Sequence, residues 1–106
     1  MNKKITLFTL DHCKHCKKIK ELFDQEKIIF KGTSCEDDSD ACDEIEKLLS
    51  VYNYPICRID FDNGEKYFMF LAQNDYEKMK FEKISKNVYA KGFAEEQSMI
   101  EYIKNL

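Results

Sequence analysis

Two cysteines, Cys13 and Cys16, stand three residues apart in the segment FTLDHCKHCKKIKELF, residues 8–23, and each has a histidine close to it in the sequence. Thiols at this spacing can join into a disulfide and open again with little movement of the backbone. Thiols and imidazoles are also ligands for metal ions such as zinc. The segment therefore predicts either thiol–disulfide chemistry or metal binding.

The hydrophobic pattern places the cysteine pair where a strand passes into a helix. Residues 4–10 are β-branched, aromatic and apolar without a breaker, which predicts a central strand. From Cys13 onward the period changes, and Cys16, Ile19 and Phe23 fall on one apolar stripe of a helix. A helix that begins at Cys13 would place that residue at its exposed amino end and Cys16 one turn deeper.

A helix start would make Cys13 the more reactive thiol of the two. Unpaired backbone N–H groups and the helix dipole favour an anion at that end. A free thiol has a pKa of about 8.5, whereas cysteines at the start of CxxC helices fall to roughly 3.5–7.5. A protonated His15 and the ammonium of Lys17 would favour the thiolate further, and Asp11 would oppose it.

The rest of the pattern predicts a mixed sheet with helices packed on it, because strand–helix–strand units pair in parallel and a hairpin pairs antiparallel. Asn63-Gly64 predicts a type I′ turn in that hairpin. After the first helix, which should end near Lys27, the expected elements are a strand at 28–30, a helix starting at Asp38 to Asp40, a hairpin over 54–71, a polar segment at 73–87 compatible with a helix, a brief strand and turn at 88–93, and a last helix at 94–106.

The composition is that of one globular domain. The chain has 106 residues, of which 43% are hydrophobic and 35% are charged. We therefore expect a single domain over residues 1–106. The net charge of −3 gives no general attraction to nucleic acid or anionic lipid, and the lysines around the cysteine pair are expected to form the solvated face of a helix.

No stretch of the sequence is expected to enter a membrane or to direct export. The longest apolar run, YFMFLA at residues 67–72, is too short to span a bilayer, and residues 1–12 lack the apolar core of a signal peptide. We therefore expect a cytoplasmic, reducing environment. Five cysteines there form a poor disulfide framework, and their presence favours catalysis, redox sensing or metal binding.

The chain resembles the glutaredoxins of the thioredoxin-fold superfamily. The resemblance lies in ITLFTLDHCKHCKKIKELF, the acid-led second helix, YPICRID, a turn, and KGF before the last helix. It covers residues 4–71 well and residues 88–105 loosely. It implies an α/β, thioredoxin-like fold with a mixed four-stranded sheet and flanking helices in the order βαβαββα, with an extra segment at residues 72–88 before the last helix.

The resemblance also implies a disulfide reductase. The Cys13 thiolate would attack a substrate disulfide, and Cys16 would resolve the mixed disulfide. In this family a cis proline faces the redox pair and the residue before it offers its backbone to the substrate, so Pro55 and Tyr54 would take these roles. The expected catalytic residues are Cys13 and Cys16, and the expected substrate-binding residues are His15, Lys17, Tyr54 and Pro55.

The expected partners are disulfide-containing proteins and a source of electrons. The resemblance implies glutathione as co-substrate, and we expect no tightly bound cofactor, no metal site and a monomeric protein. A thioredoxin reductase is a rival electron donor, because the sequence departs from the family near the site. Leu10 stands where glutaredoxins usually carry a lysine that meets a glutathione carboxylate, and Lys14 and His15 replace their usual proline and tyrosine.

Two other functions compete with the reductase. One is metal or iron–sulfur binding by the same cysteines, with Cys35 or Cys42 approaching them, and the other is a non-catalytic interaction domain that keeps the fold. Cys35 and Cys42 are either a second dithiol or incidental residues near a helix start. Cys57, which follows the proline in a strand, is expected to pack in the core.

Overall fold

The computed structural model describes residues 3–50, 54–72 and 81–106. In chain order its elements are β1 (Lys3–Thr9), α1 (Lys14–Gln25), β2 (Lys31–Ser34), α2 (Ser39–Leu49), β3 (Ile56–Phe61), β4 (Lys66–Leu71), β5 (Glu82–Ser85), β6 (Val88–Phe93) and α3 (Glu96–Lys104). In these three ranges, no helix has the length and apolar character needed to cross a membrane.

The strands form one mixed sheet in the order β2-β1-β3-β4-β6-β5. The pairs β1–β2 and β4–β6 are parallel, and the pairs β1–β3, β3–β4 and β5–β6 are antiparallel. The expected α/β class and mixed sheet are therefore confirmed. The amino-terminal strand β1 lies inside the sheet, so the connection to α1 begins at a strand that is paired on both sides.

The described part of the sheet has six strands, and the expected four-stranded sheet is wrong. The added strands are β5 and β6, of which β6 matches the brief strand predicted at 88–93. Phe68, Met69 and Phe70 of β4 are all buried, so β4 is apolar on both faces. Such a strand would be prone to aggregation if it lay at an edge of the sheet, and its pairing with β6 covers that edge.

The polar segment 73–87 contains a strand where the structure describes it. Residues 82–85 form β5, so the helix suggested for this part is wrong, and residues 73–80 lie outside the described residues. Asn87, with φ 64°, closes the turn between β5 and β6. The ring of Phe81 lies 4.9 Å from that of Tyr67 and 5.2 Å from that of Tyr102, and these long-range contacts favour the strand over a local helix.

The second strand starts later than the sequence predicts. The expected strand at 28–30 is wrong, and β2 begins at Lys31. The apolar residues before it close the carboxyl end of α1: the N–H of Ile28 donates to the carbonyl of Phe23 at 2.8 Å, and the ring of Phe30 lies 4.9 Å from that of Phe23. Ile28 and Phe30 pack against the core, whereas Ile29 between them is 91% exposed.

The β3–β4 hairpin has a longer turn than the predicted type I′ turn. The N–H of Gly64 donates to the carbonyl of Phe61 at 3.0 Å, and the N–H of Phe61 donates to that of Glu65 at 2.9 Å. Gly64 has φ 91°, whereas Asn63 is not among the described residues with positive φ. Asn63 instead accepts a hydrogen bond from the N–H of Glu65 through its side chain, so a three-residue loop replaces the two-residue one.

The helices predicted after Cys13, from Asp38 to Asp40 onward and at the carboxyl end are confirmed as α1, α2 and α3, and α2 packs on the face of the sheet opposite to α3. Neighbouring residues of β1 point to opposite sides: Leu7 packs in the cluster that contains the buried residues of α3, and Phe8 packs in the cluster that contains Cys42 and Ile45 of α2. Most of the apolar stripe of α1 belongs to the α3 cluster, but Cys16 belongs to the α2 cluster. The start of α1 therefore lies at the boundary between the two hydrophobic clusters.

Candidate active site

Cys13 is the N-cap of α1. Its backbone is extended, with φ −93° and ψ 112°, and its Sγ accepts a hydrogen bond from the backbone N–H of Cys16 at 3.1 Å. A sulfur that accepts such a bond at the positive end of a helix is more stable as an anion than a free thiol is. The helix start predicted from the sequence is therefore confirmed, with the first cysteine as its cap.

Cys13 and Cys16 are joined in a disulfide, with a Cα–Cα distance of 5.2 Å. Cys13 is half-buried, whereas Cys16 is 3% exposed. An incoming thiol or disulfide can therefore contact Cys13, whereas Cys16 is buried and inaccessible to it. The arrangement has the asymmetry that thiol–disulfide exchange requires of an attacking and a resolving thiol.

The turn before β3 approaches the disulfide from another direction. The Tyr54–Pro55 peptide bond is cis, and the carbonyl oxygen of Tyr54 lies 3.7 Å from Cys13 Sγ. The Tyr54 hydroxyl donates to Glu46 Oε2 of α2 at 2.7 Å. Burial, together with this bond, raises the pKa of Tyr54 above its ordinary value of 10.0, so the hydroxyl stays protonated as the donor. Asn53, which precedes Tyr54, lies outside the described residues.

An open cleft of about 510 Å³ lies beside Cys13 on the side of the β1–α1 loop. Three of the described lining residues are lysines. Asp11 is the one described lining residue with a carboxylate, so the lining has a net positive charge. The described lining residues are Thr9, Leu10, Asp11, His12, Cys13, Lys14, Lys17, Lys20 and Ser34. The positive charge of the lining can therefore attract an anionic compound to the side of the Cys13 sulfur.

His15 contacts a carboxylate that its sequence position does not reveal. Its Nδ1 lies 2.6 Å from Oε1 of Glu96, the first residue of α3, and Lys18 Nζ lies 3.6 Å from Oε2 of the same carboxylate. Because an ionised carboxylate only accepts hydrogen bonds, Nδ1 is the donor. The Glu96 side chain is 5% exposed, whereas that of His15 is 65% exposed. The CxxC segment is thus tied to the last helix of the chain.

Glu96 is ionised despite its burial. Burial by itself raises the pKa of a carboxyl group, but the hydrogen bond from His15 outweighs it, together with the backbone N–H of Glu96 and the charge of Lys18. The net effect lowers the pKa of Glu96 below its ordinary value of 4.5. Because 81 residues separate the two partners, no local pattern of the sequence points to this contact.

The remaining cysteines form a second disulfide and one isolated thiol. Cys35 and Cys42 are bonded, with a Cα–Cα distance of 5.7 Å. Cys57 is fully buried in β3, and burial raises the pKa of its thiol to about 12. Cys57 is thus the core residue that the sequence predicted and is unreactive at neutral pH.

The described residues bring together no group of three or more His, Cys, Asp or Glu side chains that could hold a metal ion. The four cysteines discussed as ligands are paired within their own segments, 13 with 16 and 35 with 42. His15 is directed to Glu96, and His12 lies on the cleft with φ 59°. In this geometry the CxxC segment presents a redox pair.

Sequence comparison assigns the amino-terminal half of the chain. A family model for glutaredoxin matches residues 5–62, which is more than half of the sequence. The chain belongs to the glutaredoxin family. The resemblance noted from the CxxC segment and the proline strand is thereby confirmed, and with it the thioredoxin-like α/β class.

Comparison of the structure finds one similar solved chain. It is the C-terminal domain of DsbD from Neisseria meningitidis in the oxidised form. The alignment covers 98% of this chain and 79% of the DsbD chain, with a TM-score of 0.48 and 13% sequence identity. Similarity at this level does not identify an activity. No curated protein sequence matches the chain.

The structure places the residues expected for a glutaredoxin site in three groups. Cys13, Cys16 and the carbonyl of Tyr54 come together, with Pro55 directly behind Tyr54 and buried. Lys17 lies on the cleft. His15, which was expected to bind substrate, is not among the described cleft residues and contacts Glu96.

Proposed function

We propose that this protein reduces disulfides of proteins and mixed disulfides of glutathione through Cys13 and Cys16. Membership of the glutaredoxin family and the disulfide in CxxC spacing indicate a thiol–disulfide oxidoreductase. One observation carries the assignment of roles: the half-exposed Cys13 sulfur caps α1 and accepts the N–H of Cys16, whose own sulfur is buried. Cys13 is therefore the nucleophile and Cys16 the resolving thiol.

In the first step the Cys13 thiolate attacks one sulfur of the substrate disulfide. The new bond joins Cys13 to that sulfur, the substrate S–S bond breaks, and the other substrate sulfur leaves as a thiolate that takes up a proton. The backbone N–H of Cys16 and the helix dipole stabilise the attacking thiolate, and Lys14 and Lys17 add positive charge nearby.

In the second step Cys16 attacks Cys13 and releases the substrate. Cys16 loses its proton, the Cys13–Cys16 bond forms, and the bond between Cys13 and the substrate breaks, so the substrate leaves with a second thiol. The sum is a transfer of two electrons and two protons from the dithiol to the substrate. The oxidised product is the disulfide present in this structure.

Tyr54 is proposed to position the substrate during both steps. Its carbonyl oxygen lies 3.7 Å from Cys13 Sγ, close enough for the extended backbone around a substrate cysteine to donate to it. The hydrogen bond from Tyr54 to Glu46 holds this residue against α2. Pro55 fixes the start of β3 behind it, so both residues act through geometry rather than chemistry.

Glutathione is the electron donor that the cleft supports best. Glutathione carries two carboxylates and a thiol, and the cleft offers Lys14, Lys17 and Lys20 beside the Cys13 sulfur. Two molecules of glutathione would reduce the Cys13–Cys16 disulfide and leave as one oxidised glutathione. The cytoplasm, where glutathione keeps thiols reduced, is the compartment proposed for this reaction, and the protein is proposed to act as a monomer.

A thioredoxin reductase is the second candidate donor. Leu10, which replaces the lysine usual in glutaredoxins, is 39% exposed on the cleft. An exposed apolar side chain at this position weakens the binding of a carboxylate and suits contact with a protein partner. If glutathione is the donor, glutathione with its reductase should sustain turnover. If a thioredoxin reductase is the donor, that enzyme should sustain it instead.

Parallel assays with one protein disulfide as substrate test the proposal. One assay is driven by glutathione and its reductase, the other by thioredoxin reductase, with NADPH consumption as the readout in both. The Cys13→Ser variant is the blank, and Cys57→Ser is the matched control, because that cysteine is buried away from the site.

Turnover with glutathione that disappears in Cys13→Ser supports the proposed reaction and donor. Turnover only with thioredoxin reductase would replace the donor and keep the dithiol. Equal rates in wild type and Cys13→Ser would overturn the catalytic role. Metal analysis and an absorption spectrum of the freshly purified protein test the competing metal or iron–sulfur function, and a stoichiometric metal bound through Cys13 would favour it.

A further inference from the structure

The proposed reaction makes no use of the second disulfide, which joins Cys35 to Cys42. Cys35 follows β2 directly, and Cys42 lies in the first turns of α2, so the bond closes the loop of residues 35–42. We propose that this pair is a second redox-active dithiol, and that its oxidised form holds the substrate-docking side of the active site in place. The second half of this inference rests on the proposed function, and the first half does not.

The two cysteines of the pair are both buried but differ in residual exposure, which gives the expected exchange a direction. Cys35 is 8% exposed and Cys42 is 2% exposed. A small thiol such as glutathione, as its thiolate, is therefore expected to attack the Cys35 sulfur, so that Cys42 leaves as a thiolate and takes up a proton. A second small thiolate then attacks the bound small-thiol sulfur and releases Cys35, which is protonated in turn. Two electrons and two protons pass from two small thiols to the pair, and the small thiols leave as their disulfide.

The charges around the second pair oppose thiolate formation. Four carboxylates stand in or directly after the loop start, at Glu36, Asp37, Asp38 and Asp40. Like charges near a thiol favour its neutral form, so the reduced state gains less from ionisation here than at Cys13. The second disulfide should therefore be harder to reduce than the first, and a range of redox conditions should exist in which only the first pair is reduced.

One connection between the two pairs runs through the loop backbone and Glu36. The N–H of Cys35 donates to the carbonyl of Thr9 at 2.8 Å. The backbone N–H of Asp11, two residues before Cys13, donates to both carboxylate oxygens of Glu36, with N···O distances of 3.2 Å. This carboxylate also accepts the Ser34 hydroxyl at 2.8 Å, and this bond, followed by that from Asp11, lowers the pKa of Glu36. The loop closed by the Cys35–Cys42 disulfide is therefore hydrogen-bonded to the segment that leads from β1 to Cys13.

The other connection runs through α2 to Tyr54. Cys42 anchors the beginning of this helix, and Glu46, one turn later, accepts the Tyr54 hydroxyl at 2.7 Å. The Tyr54 carbonyl lies 3.7 Å from Cys13 Sγ. Cys16, Cys35, Cys42 and Tyr54 share one apolar cluster, and Cys13 packs against it. Opening the second disulfide removes the covalent restraint on the helix that supports the docking residue.

The first experiment measures the redox activity of the second pair without the first. The Cys13→Ser/Cys16→Ser variant is equilibrated in glutathione redox buffers of increasing reducing strength, quenched with acid, denatured, and alkylated with a maleimide that adds mass. Cys57 contributes one thiol under every condition. We expect one thiol in oxidising buffers and three in reducing buffers, with a single two-electron transition between them.

Two results would overturn the first half of the inference. Three thiols in the most oxidising buffer would mean that the pair does not form a disulfide, and one thiol in the most reducing glutathione buffer would mean that the bond is inert to small thiols. The matched control adds Cys35→Ser, which keeps Cys42 and Cys57 but cannot form the second disulfide, and any Cys42 that forms a mixed disulfide with glutathione is identified by the added mass of glutathione. A circular dichroism spectrum establishes that each variant is folded, and the same titration on the wild type, read at each cysteine by peptide mapping, decides the question if a variant does not fold.

The second experiment measures whether the second pair affects docking. Wild type with the first pair reduced and the second oxidised is compared with Cys35→Ser/Cys42→Ser and with the control Cys57→Ser. We expect the double variant to raise KM for a protein disulfide about threefold or more, with kcat and the alkylation rate of Cys13 unchanged. An unchanged KM overturns the coupling.

A variant that leaves all cysteines in place tests the same connection independently. Glu46→Gln weakens the support of Tyr54, and we expect its KM for the protein disulfide to rise in the same direction. Wild-type KM in Glu46→Gln would contradict the route through α2. Because the thiol titration uses a chain without Cys13 and Cys16, its outcome does not depend on whether the proposed reductase activity is correct.

Discussion

The two disulfides of this chain put the same chemical group into opposite surroundings. Cys13 and Cys16 stand at the start of α1 among lysines, with one sulfur half-exposed and capped by a backbone N–H. Cys35 and Cys42 close a loop rich in carboxylates, and both are buried. Because only a thiolate attacks a disulfide, the first environment favours turnover and the second favours a slowly exchanging bond.

The comparison shows that spacing alone does not define a redox centre. The first pair lies three residues apart within one helical turn and the second pair seven residues apart across a loop, yet the Cα–Cα distances are 5.2 Å and 5.7 Å. Geometry permits both bonds. Charge and access to solvent are expected to distinguish the two pairs, and each of these factors can be changed by substitution.

The largest expected difference between the pairs lies in turnover. Cys13→Ser should lower kcat/KM for a protein disulfide by roughly three orders of magnitude, because it removes the nucleophile. Cys42→Ser should retain most of the kcat, because Cys13 and Cys16 are unchanged. Steady-state assays with glutathione and its reductase measure both, and comparable losses of kcat in the two variants would contradict the division of roles.

Loss of the resolving thiol should depend on the substrate. Cys16→Ser should retain activity towards a glutathione mixed disulfide, because an external thiol can resolve the intermediate, and should lose about tenfold or more towards a protein disulfide. The same two assays measure the difference. Equal losses on both substrates would show that Cys16 does more than resolve the mixed disulfide.

The reactivity of the thiols themselves gives the next largest effect. In the fully reduced protein at pH 6–7, Cys13 should alkylate with iodoacetamide about tenfold or more faster than Cys35, because helix-start thiols of CxxC motifs have pKa values of roughly 3.5–7.5 against about 8.5 for a free thiol. Peptide mapping by mass spectrometry resolves the two rates. Similar rates at the two cysteines would remove the electrostatic distinction between the pairs.

Stability should respond to the buried acid near the first pair and not to the exposed acid near the second. Glu96→Gln should lower the free energy of unfolding by about 1–2 kcal/mol at neutral pH, because it weakens the charged hydrogen bond to His15 and removes the ion pair with Lys18. Glu36→Gln, at an exposed site, should change it much less. Urea unfolding followed by circular dichroism measures both variants.

The pH dependence of this stability follows from the lowered pKa of Glu96. A carboxyl whose pKa is lower in the folded than in the unfolded state stabilises the fold above its unfolded pKa, and the contribution is lost as the pH falls through the folded value. Wild type should therefore lose stability below pH 4.5 more steeply than Glu96→Gln does. Parallel curves for the two proteins would show that the carboxylate is not stabilised by folding.

The smallest expected effect concerns the lysines of the cleft. Lys17→Ala should raise KM for glutathione about twofold to fivefold with little change in kcat, because one exposed charge pair contributes about 0.2–1 kcal/mol. Lys86→Ala, in the exposed β5–β6 turn, is the matched control. An equal effect of both variants would point to net charge rather than to a binding cleft.

Local signals in the sequence determined the elements on which the site is built. The apolar stripe from Cys16 predicts α1, and the acidic run before α2 predicts its start, because helix caps and amphipathic faces depend on residues within one or two turns. The CxxC segment and Pro55 were enough to indicate the family that the comparison confirms. The proposed nucleophile and its partner cysteine can therefore be identified from residues close to them in the sequence.

Only the tertiary structure decided which distant groups meet at the site. Glu96 reaches His15 across 81 residues, β6 covers the edge of β4, and Phe81 joins an aromatic cluster where the sequence suggested a polar helix. The second disulfide also depended on the fold, because the separation of its cysteines does not reveal whether the chain turns back between them. Contacts of this kind depend on packing and sheet pairing, and the periodicity of a single sequence records neither.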